Sequence, residues 1–379
     1  MGKVDLVSTG EREEAAAEDY GWVLRPDRLR EELERTGFRE EMIERLVAAA
    51  EGAISLVDAR ELLQRILNDA VNGVRIKPQI PDHPLFPALA MIAGFPRTRA
   101  LHQARGIPEA VTRATLCDLE RSLEAYRDEH GVWGFDNAPW LRHHLTGGLF
   151  ELGRLQYQPG TMGMPYRVYR HRGDASLIAL ASDQVSCTSE GLPQRDANGF
   201  CCGLILGEHE ATGHPLLSES GRISSRPVAI PLSQYELIAE PTARLLFVHI
   251  PKGERLTMAD CDESLRLAEA FFSQYFPEMD WQGYGCISWL LDPELRKCLP
   301  ASSNILAFAS RFFPLAIPNA TGNQILERVL GAGADPATFK PSNSLQKAVV
   351  EHVMAGGVFR TTGGFIPRSS RNAGVSASL

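Results

Sequence analysis

The segment Leu245-Leu246-Phe247-Val248-His249-Ile250-Pro251-Lys252-Gly253-Glu254-Arg255-Leu256-Thr257-Met258-Ala259-Asp260 decides how this chain folds. Its first six residues are a nearly continuous apolar run, the pattern of a strand buried on both faces. Pro251 and Gly253 break that run. Thr257-x-x-Asp260 then fits a helix-capping pattern, and Cys261, Leu265, Ala268 and Phe272 recur at helical spacing. The segment reads as a buried strand, a short loop and a capped helix that runs to about residue 276. A helix N-terminus facing a strand end is a ready-made anion site, because its first amides have no partner within the helix. The same reading places one imidazole, His249, near the exit of the strand.

Working outward, the next apolar run, Gly285-Cys286-Ile287-Ser288-Trp289-Leu290-Leu291, reads as a strand stopped by Asp292-Pro293. Residues 305–313 read as a further strand and Ser344 to Met354 as a last helix. Upstream, residues 154–157, 166–170, 177–180, 203–206 and 227–230 alternate as strands do, with 166–180 forming a hairpin. Before about residue 155 the period changes to 3.6. Helices are expected at 26–33, 40–50 and 56–71, a long one at 107–127, and another from Asn137 to near Gly153, with a proline-rich interruption at 78–96.

Composition bounds the function. At 379 residues, 44% hydrophobic and 23% charged, the chain is long enough for two domains with ample core. The net charge of −8 argues against nucleic acid as a partner. An anionic cofactor would need a local basic patch. Seven cysteines without a CxxC pair point to a reducing cytoplasm, with Cys201-Cys202 a buried strand feature. No secretory signal and no membrane span is expected. The first 18 or so residues and the last ten have the composition of disordered segments. His143-His144 and the pair His209 and His214 lack zinc-ligand spacing, so no metal is expected.

Four short motifs occur in one order: Trp140-Leu141 through His144 followed by Gly148-Leu149-Phe150-x-Leu152-Gly153-Arg154-Leu155-Gln156; His249-Ile250-Pro251-x-Gly253; Ser288-Trp289-Leu290-Leu291-Asp292-Pro293; and Ser303-Asn304-Ile305. Together they resemble actinobacterial acyltransferases that have a helical N-terminal domain and a GNAT-like C-terminal domain. The resemblance spans about residues 20 to 360. It implies an α+β fold, with a helical N-terminal domain (residues 1–140) packed on a GNAT-like mixed, mainly antiparallel sheet with flanking helices (residues 141–379). It also implies transfer of an acyl group from a coenzyme A or carrier-protein thioester to a small-molecule amine. The loop departs from the family pattern. Gln/Arg-x-x-Gly-x-Gly/Ala is replaced by Pro251 to Leu256, which holds one glycine and an unfavourable Glu254.

Acyl transfer to an amine needs a proton acceptor, a donor for the charged carbonyl oxygen and a proton for the leaving thiolate. His249 is the candidate base, weighed against a satisfied core histidine. Tyr284, Cys286 and Ser288 alternate onto one face of their strand and are candidate donors, weighed against ordinary packing. Ile250, Lys252, Gly253 and Arg255, with Ser303 and Asn304, are the candidate coenzyme contacts. Two other readings stay open: an acyl-CoA-binding module without catalysis on a degenerate GNAT scaffold, and a thioester hydrolase or transferase that uses Cys286 as nucleophile.

Overall fold

The computed structural model describes residues 20–73 and 82–368. The expected terminal disorder and the first residues of the proline-rich stretch lie outside this range. The N-terminal unit is a layered bundle of α1 (Pro26–Thr36), α2 (Glu40–Ala53), α3 (Ala59–Val71), α4 (Phe86–Ala93), α5 (Phe95–Ala104), α6 (Glu109–Leu116), α7 (Asp118–His130) and α8 (Ala138–Leu145). Helix α4 is buried along its whole length, and the amphipathic helices close over it with Leu29, Leu33, Leu46, Leu63 and Leu119. Two expectations change here. The long helix at 107–127 is two helices that meet at Cys117. The helix beginning at Asn137 ends at Leu145, and β1 (Phe150–Leu152) follows Gly147 and Gly148. Gly147 has a φ of 65°, left-handed geometry that stops the helix at little cost for glycine.

The second unit is built on a six-stranded sheet. β1 and β2 (Leu155–Thr161) form an antiparallel pair at its edge. The chain then leaves the sheet for a β-rich excursion and returns at β13 (Arg244–His249). That excursion contains β3 (Tyr166–His171), β4 (Leu177–Ala181), β5 (Ser186–Cys187), β6 (Phe200–Cys201), β7 (Leu204–Leu206), β8 (Glu210–Gly213), β9 (Leu216–Leu217), β10 (Arg222–Ile223), β11 (Val228–Pro231) and β12 (Tyr235–Ala239). The hairpin at 166–180 is β3 against β4. The vicinal cysteines part company: Cys202 is buried and Cys201 is exposed, since successive strand residues face opposite ways.

After β13 come α9 (Met258–Tyr275), β14 (Gly283–Ser288), α10 (Asn304–Ala309), β15 (Phe313–Leu315), α11 (Asn323–Leu330), α12 (Ser344–Met354) and β16 (Thr362–Pro367). The sheet order is β1-β2-β13-β14-β16-β15, antiparallel except for β13 beside β14. Helix α9 packs on one face through Cys261, Ala268 and Phe272, with Phe276 and Trp281 after it in the same core, and the excursion covers the other face around Phe247 and Phe365.

The strand expected at 305–313 is largely α10. Ile-Leu-Ala-Phe-Ala suits a strand or a buried helix equally, and the Ser303 hydroxyl, which accepts from the Ile305 amide, starts a helix. Strand β16 escapes a pattern search because it contains Gly363 and Gly364. A Cβ on Gly363 would lie 2.4 Å from Met164 Sδ, and one on Gly364 would lie 2.6 Å from Leu291 Cδ1. These glycines let a strand pack against its neighbours at close range.

Candidate active site

The central opening comes from how two parallel strands separate. β13 and β14 pair at Leu245–Gly283, Leu246–Tyr284 and Phe247–Gly285, and the register ends there. Both strands continue, β13 to His249 and β14 to Ser288, without pairing to each other. On its other edge β13 stays zipped to β2 as far as His249–Gln156. The C-terminal end of β13 is therefore half-paired, with backbone amides and carbonyls turned towards a wedge between the strands.

Paired residues share a face, so His249 lies with Phe247 and Gly285 on the side away from α9, and alternation adds Ile287. Ile287 is 36% exposed, and among the described residues no other large apolar side chain of this sheet reaches that exposure. Tyr284 and Cys286 point the opposite way, into the core beneath α9. The sheet thus separates His249 from Tyr284 and Cys286 and, by the same alternation, from Ser288 at the end of β14. The Tyr284 hydroxyl donates to the Leu265 carbonyl at 3.1 Å, and burial pushes the phenol above its ordinary range. Cys286 is 1% exposed, and burial pushes its thiol up to about 12, so the nucleophilic thiolate is strongly disfavoured. The Ser288 Oγ accepts from the Leu290 amide at 3.2 Å as a helix cap and keeps its own proton to donate.

His249 sits where the two units meet. Its Nε2 is 3.1 Å from Gln158 Oε1 on β2, and Gln158 Nε2 is 2.9 Å from His143 Nδ1 on α8. The Trp140 ring lies 4.7 Å from the His249 ring at 70°. Trp140 is itself held by its indole N–H, which donates to Asp118 Oδ2 at 3.0 Å. His144 Nε2 lies 3.1 Å from the same carboxylate oxygen, too oblique for an aligned hydrogen bond, and Arg121 bridges Asp118 to Glu151 on β1. Burial would raise the Asp118 pKa, but His144 and Arg121 hold it well below the usual carboxylate range. Burial pushes His249 down to about 3, with His143 and His144 reinforcing and Asp118 opposing. His143 falls to about 4 for similar reasons. Both imidazoles are neutral at physiological pH. His249 keeps partial solvent access, and no described group hydrogen-bonds its Nδ1.

The loop after β13 is held from beneath. Arg154, in the turn between β1 and β2, donates to the Pro251 carbonyl at 3.1 Å and to the Glu254 carbonyl at 2.7 Å. Gly253, at φ 148°, has open space where a Cβ would stand. Lys252 is exposed and lies 3.4 Å from Asp128, and Arg255 is exposed and pairs with no described residue. Helix α9 opens with the expected cap: the Thr257 hydroxyl accepts from the Asp260 amide at 3.2 Å. Asn304 donates to the Leu256 carbonyl at 2.9 Å, which brings the start of α10, with Ser303 as its cap, to the end of the same loop. Ile250 continues the strand from the rim, half-buried against the core below α9. The structure therefore groups Ile250, Lys252, Gly253, Arg255 and Asn304 around one loop. Sequence reasoning gave no role to Arg154, Gln158, His143 or Asp118. Their parts depend on contacts across 15 to 100 residues of chain.

Among the described residues no group of histidine, cysteine or carboxylate side chains could hold a metal ion, and no helix is long and apolar enough to cross a membrane.

Comparison with known proteins gives two family matches. Residues 27–147 match an N-acyltransferase N-terminal domain and residues 149–366 a GNAT-like C-terminal domain. A search of curated protein sequences finds no significant match. Three similar solved structures are of an acyltransferase in complex with decanoyl-CoA and teicoplanin (24% identity, 90% of this chain and 88% of that one, TM-score 0.59), with CoA and 10C-teicoplanin (24%, 89% and 87%, 0.58), and with decanoyl-CoA (24%, 90% and 88%, 0.59). At that identity the likeness shows a shared fold.

Proposed function

This chain belongs to the GNAT-like N-acyltransferases with an N-acyltransferase N-terminal domain, and on that premise we propose that it moves an acyl group from acyl-CoA to an amine of a small molecule by direct attack. The observation that carries the reading is the wedge between β13 and β14, with His249 on its rim one residue beyond Val248 and the loop 251–256 directly after it. A thioester arm laid in the wedge can take the free backbone groups of β13 as its hydrogen-bond partners. Its pyrophosphate would then lie near the loop, the exposed Lys252 and Arg255 and the first turn of α9. Ile287 offers apolar surface on the same face as His249. The solved acyltransferase structures of this fold hold decanoyl-CoA with teicoplanin and CoA with 10C-teicoplanin, which supports a coenzyme A donor and a small-molecule acceptor here.

The chemistry follows from charge flow. The amine nitrogen attacks the thioester carbonyl carbon, the carbonyl oxygen becomes anionic, and the C–S bond breaks as the carbonyl re-forms. His249 takes one N–H proton, and the departing sulfur takes up one proton to leave as the thiol. The low pKa of His249 keeps its lone pair free at neutral pH but makes it a weak base. It cannot readily strip a bulk ammonium ion. It suits an amine that arrives neutral and turns acidic as its bond to carbon forms.

A buried thiol that titrates at about 12 disfavours a covalent route through Cys286. A binding module without turnover is favoured by one observation: Thr257 and Asp260 cap α9 internally and set a carboxylate at its N-terminus, where an anion would sit. The test is to incubate the protein with octanoyl- or decanoyl-CoA and a panel of amines and follow amide and free thiol together. Equal release of both supports transfer. Tight acyl-CoA binding with no amide from any amine selects the binding module, and an acyl adduct on the intact protein selects the covalent route.

A further inference from the structure

We propose that Gln158 is a positioning residue that fixes the tautomer of His249, so that Nε2 carries the proton and Nδ1 presents the lone pair to the acceptor amine. The inference rests on His249 being the base proposed above. One carboxamide lies between two imidazoles, 3.1 Å from His249 Nε2 and 2.9 Å from His143 Nδ1. Its oxygen can only accept and its nitrogen can only donate. Two arrangements satisfy both contacts. In one, His249 Nε2–H donates to Oε1, and Nε2 of Gln158 donates to a bare His143 Nδ1. In the other, the amide is reversed and both histidines carry their proton on Nδ1. The first leaves each imidazole in the Nε2–H form, the more stable one for an isolated histidine, and the second forces both into the less stable form. The first is therefore favoured by the histidines themselves, and the position of the proton on one ring nitrogen is set by the bond the other end of the network makes.

The consequence is directional. Nδ1 of His249 has no hydrogen-bond partner among the described residues, on a residue that is half-buried, whereas Nε2 is tied inward. The free lone pair thus belongs to the ring atom that is not engaged by the protein. Because Gln158 is on β2 and His143 on α8, the base of the C-terminal unit is oriented through a helix of the N-terminal unit. The N-terminal helical unit then contributes to the chemistry through His143.

Nitrogen-15 spectra of imidazole-labelled protein read the tautomer without any substrate, with the His249 signals assigned by their loss in His249→Ala. The expected resting state is Nε2–H. Gln158→Leu, close in size, should turn it into a tautomer mixture and lower kcat by ~10–100-fold, as loss of an orienting partner does, with KM for acyl-CoA little changed. Gln158→Glu keeps an acceptor for Nε2–H and should restore the Nε2–H form and most of kcat. An Nδ1–H resting state overturns the proposal. So does a folded Gln158→Leu protein with unchanged tautomer and kcat. If no amine is acylated at all, the function reading fails, and the spectra alone still decide the role of Gln158.

Discussion

The two ends of the strand–loop–helix segment are held in opposite ways. At the helix end the contacts are exposed and single: Thr257 caps the amide three residues on, Arg154 and Asn304 hold the loop by its carbonyls, and Lys252 lies beside the Asp128 carboxylate. At the strand end His249 is held by Gln158 and Trp140, and through them by His143 and Asp118, residues that come from two other elements of the helical unit and one other strand. The first end is solvent-exposed and electrostatically soft, since exposed charges are screened. The second is enclosed, so burial first and the neighbouring imidazoles second push His249 well below the ordinary imidazole range. The proton transfer proposed here belongs to the enclosed end, and the proposed attraction of a charged ligand to the open one.

The contrast breaks most directly at His249. His249→Ala should lower kcat by ~10²–10⁴ with acyl-CoA affinity nearly constant, and the deficit should shrink as pH rises and free amine accumulates. A stable variant with near wild-type turnover would return His249 to a structural role. Activity that falls only in step with the folded fraction would do the same.

Acid should act next on the buried histidines, those of the enclosed end and His102 on α5, which sits beside Thr112 and Phe150. His249, His143 and His102 titrate at about 3, 4 and 4 in the folded chain against an ordinary value near 6.5. The unfolded chain therefore binds more protons below about pH 6.5, so the contribution of these residues is complete above that value and is lost as pH falls towards 4. The 2%-exposed His102 alone accounts for on the order of 3 kcal/mol across that window. Asp292, raised to about 6 by burial, works the other way as one group against three. Thermal melts from pH 7 to 4.5 should show a falling midpoint, and a flat profile contradicts the enclosed histidines.

Smaller effects belong to the loop. Arg154→Ala frees the carbonyls of Pro251 and Glu254 and should weaken CoA binding by about 1–2 kcal/mol in calorimetry through loss of charge-assisted bonds that shape the loop. Lys252→Glu should weaken it by about 1 kcal/mol, more at low salt than at high, since the side chain is exposed and already near Asp128. Equal affinity of Lys252→Glu and the wild type at low salt removes the phosphate from this loop.

What the sequence showed depended on range. The capped helix at 258, the buried strand before it, the hairpin at 166–180 and the last helix were legible, because each is set by neighbours within a few residues. The short apolar run of α10 was read as a strand because period alone cannot separate the two. Strand β16 was hidden because its glycines answer to Met164 and Leu291, far away in the chain. For the candidate site, His249 and the loop were visible as residue types at an element boundary. Face-sharing of Tyr284, Cys286 and Ser288 was visible too, by alternation alone. That His249 lies on the opposite face was not, because it depends on the register between β13 and β14.

The sequence by itself determined the family, the change from a helical to a sheet-based unit, and the strand–loop–helix with its imidazole and its glycine. All of these are written in period, caps and short motifs. The tertiary structure decided which groups surround that imidazole, where β13 and β14 part, and which charges are buried. The physical reason is that proton affinity and hydrogen-bond direction are set by whatever shares a few ångströms of space, and for His249 those neighbours arrive from residues 118, 140, 143, 144 and 158.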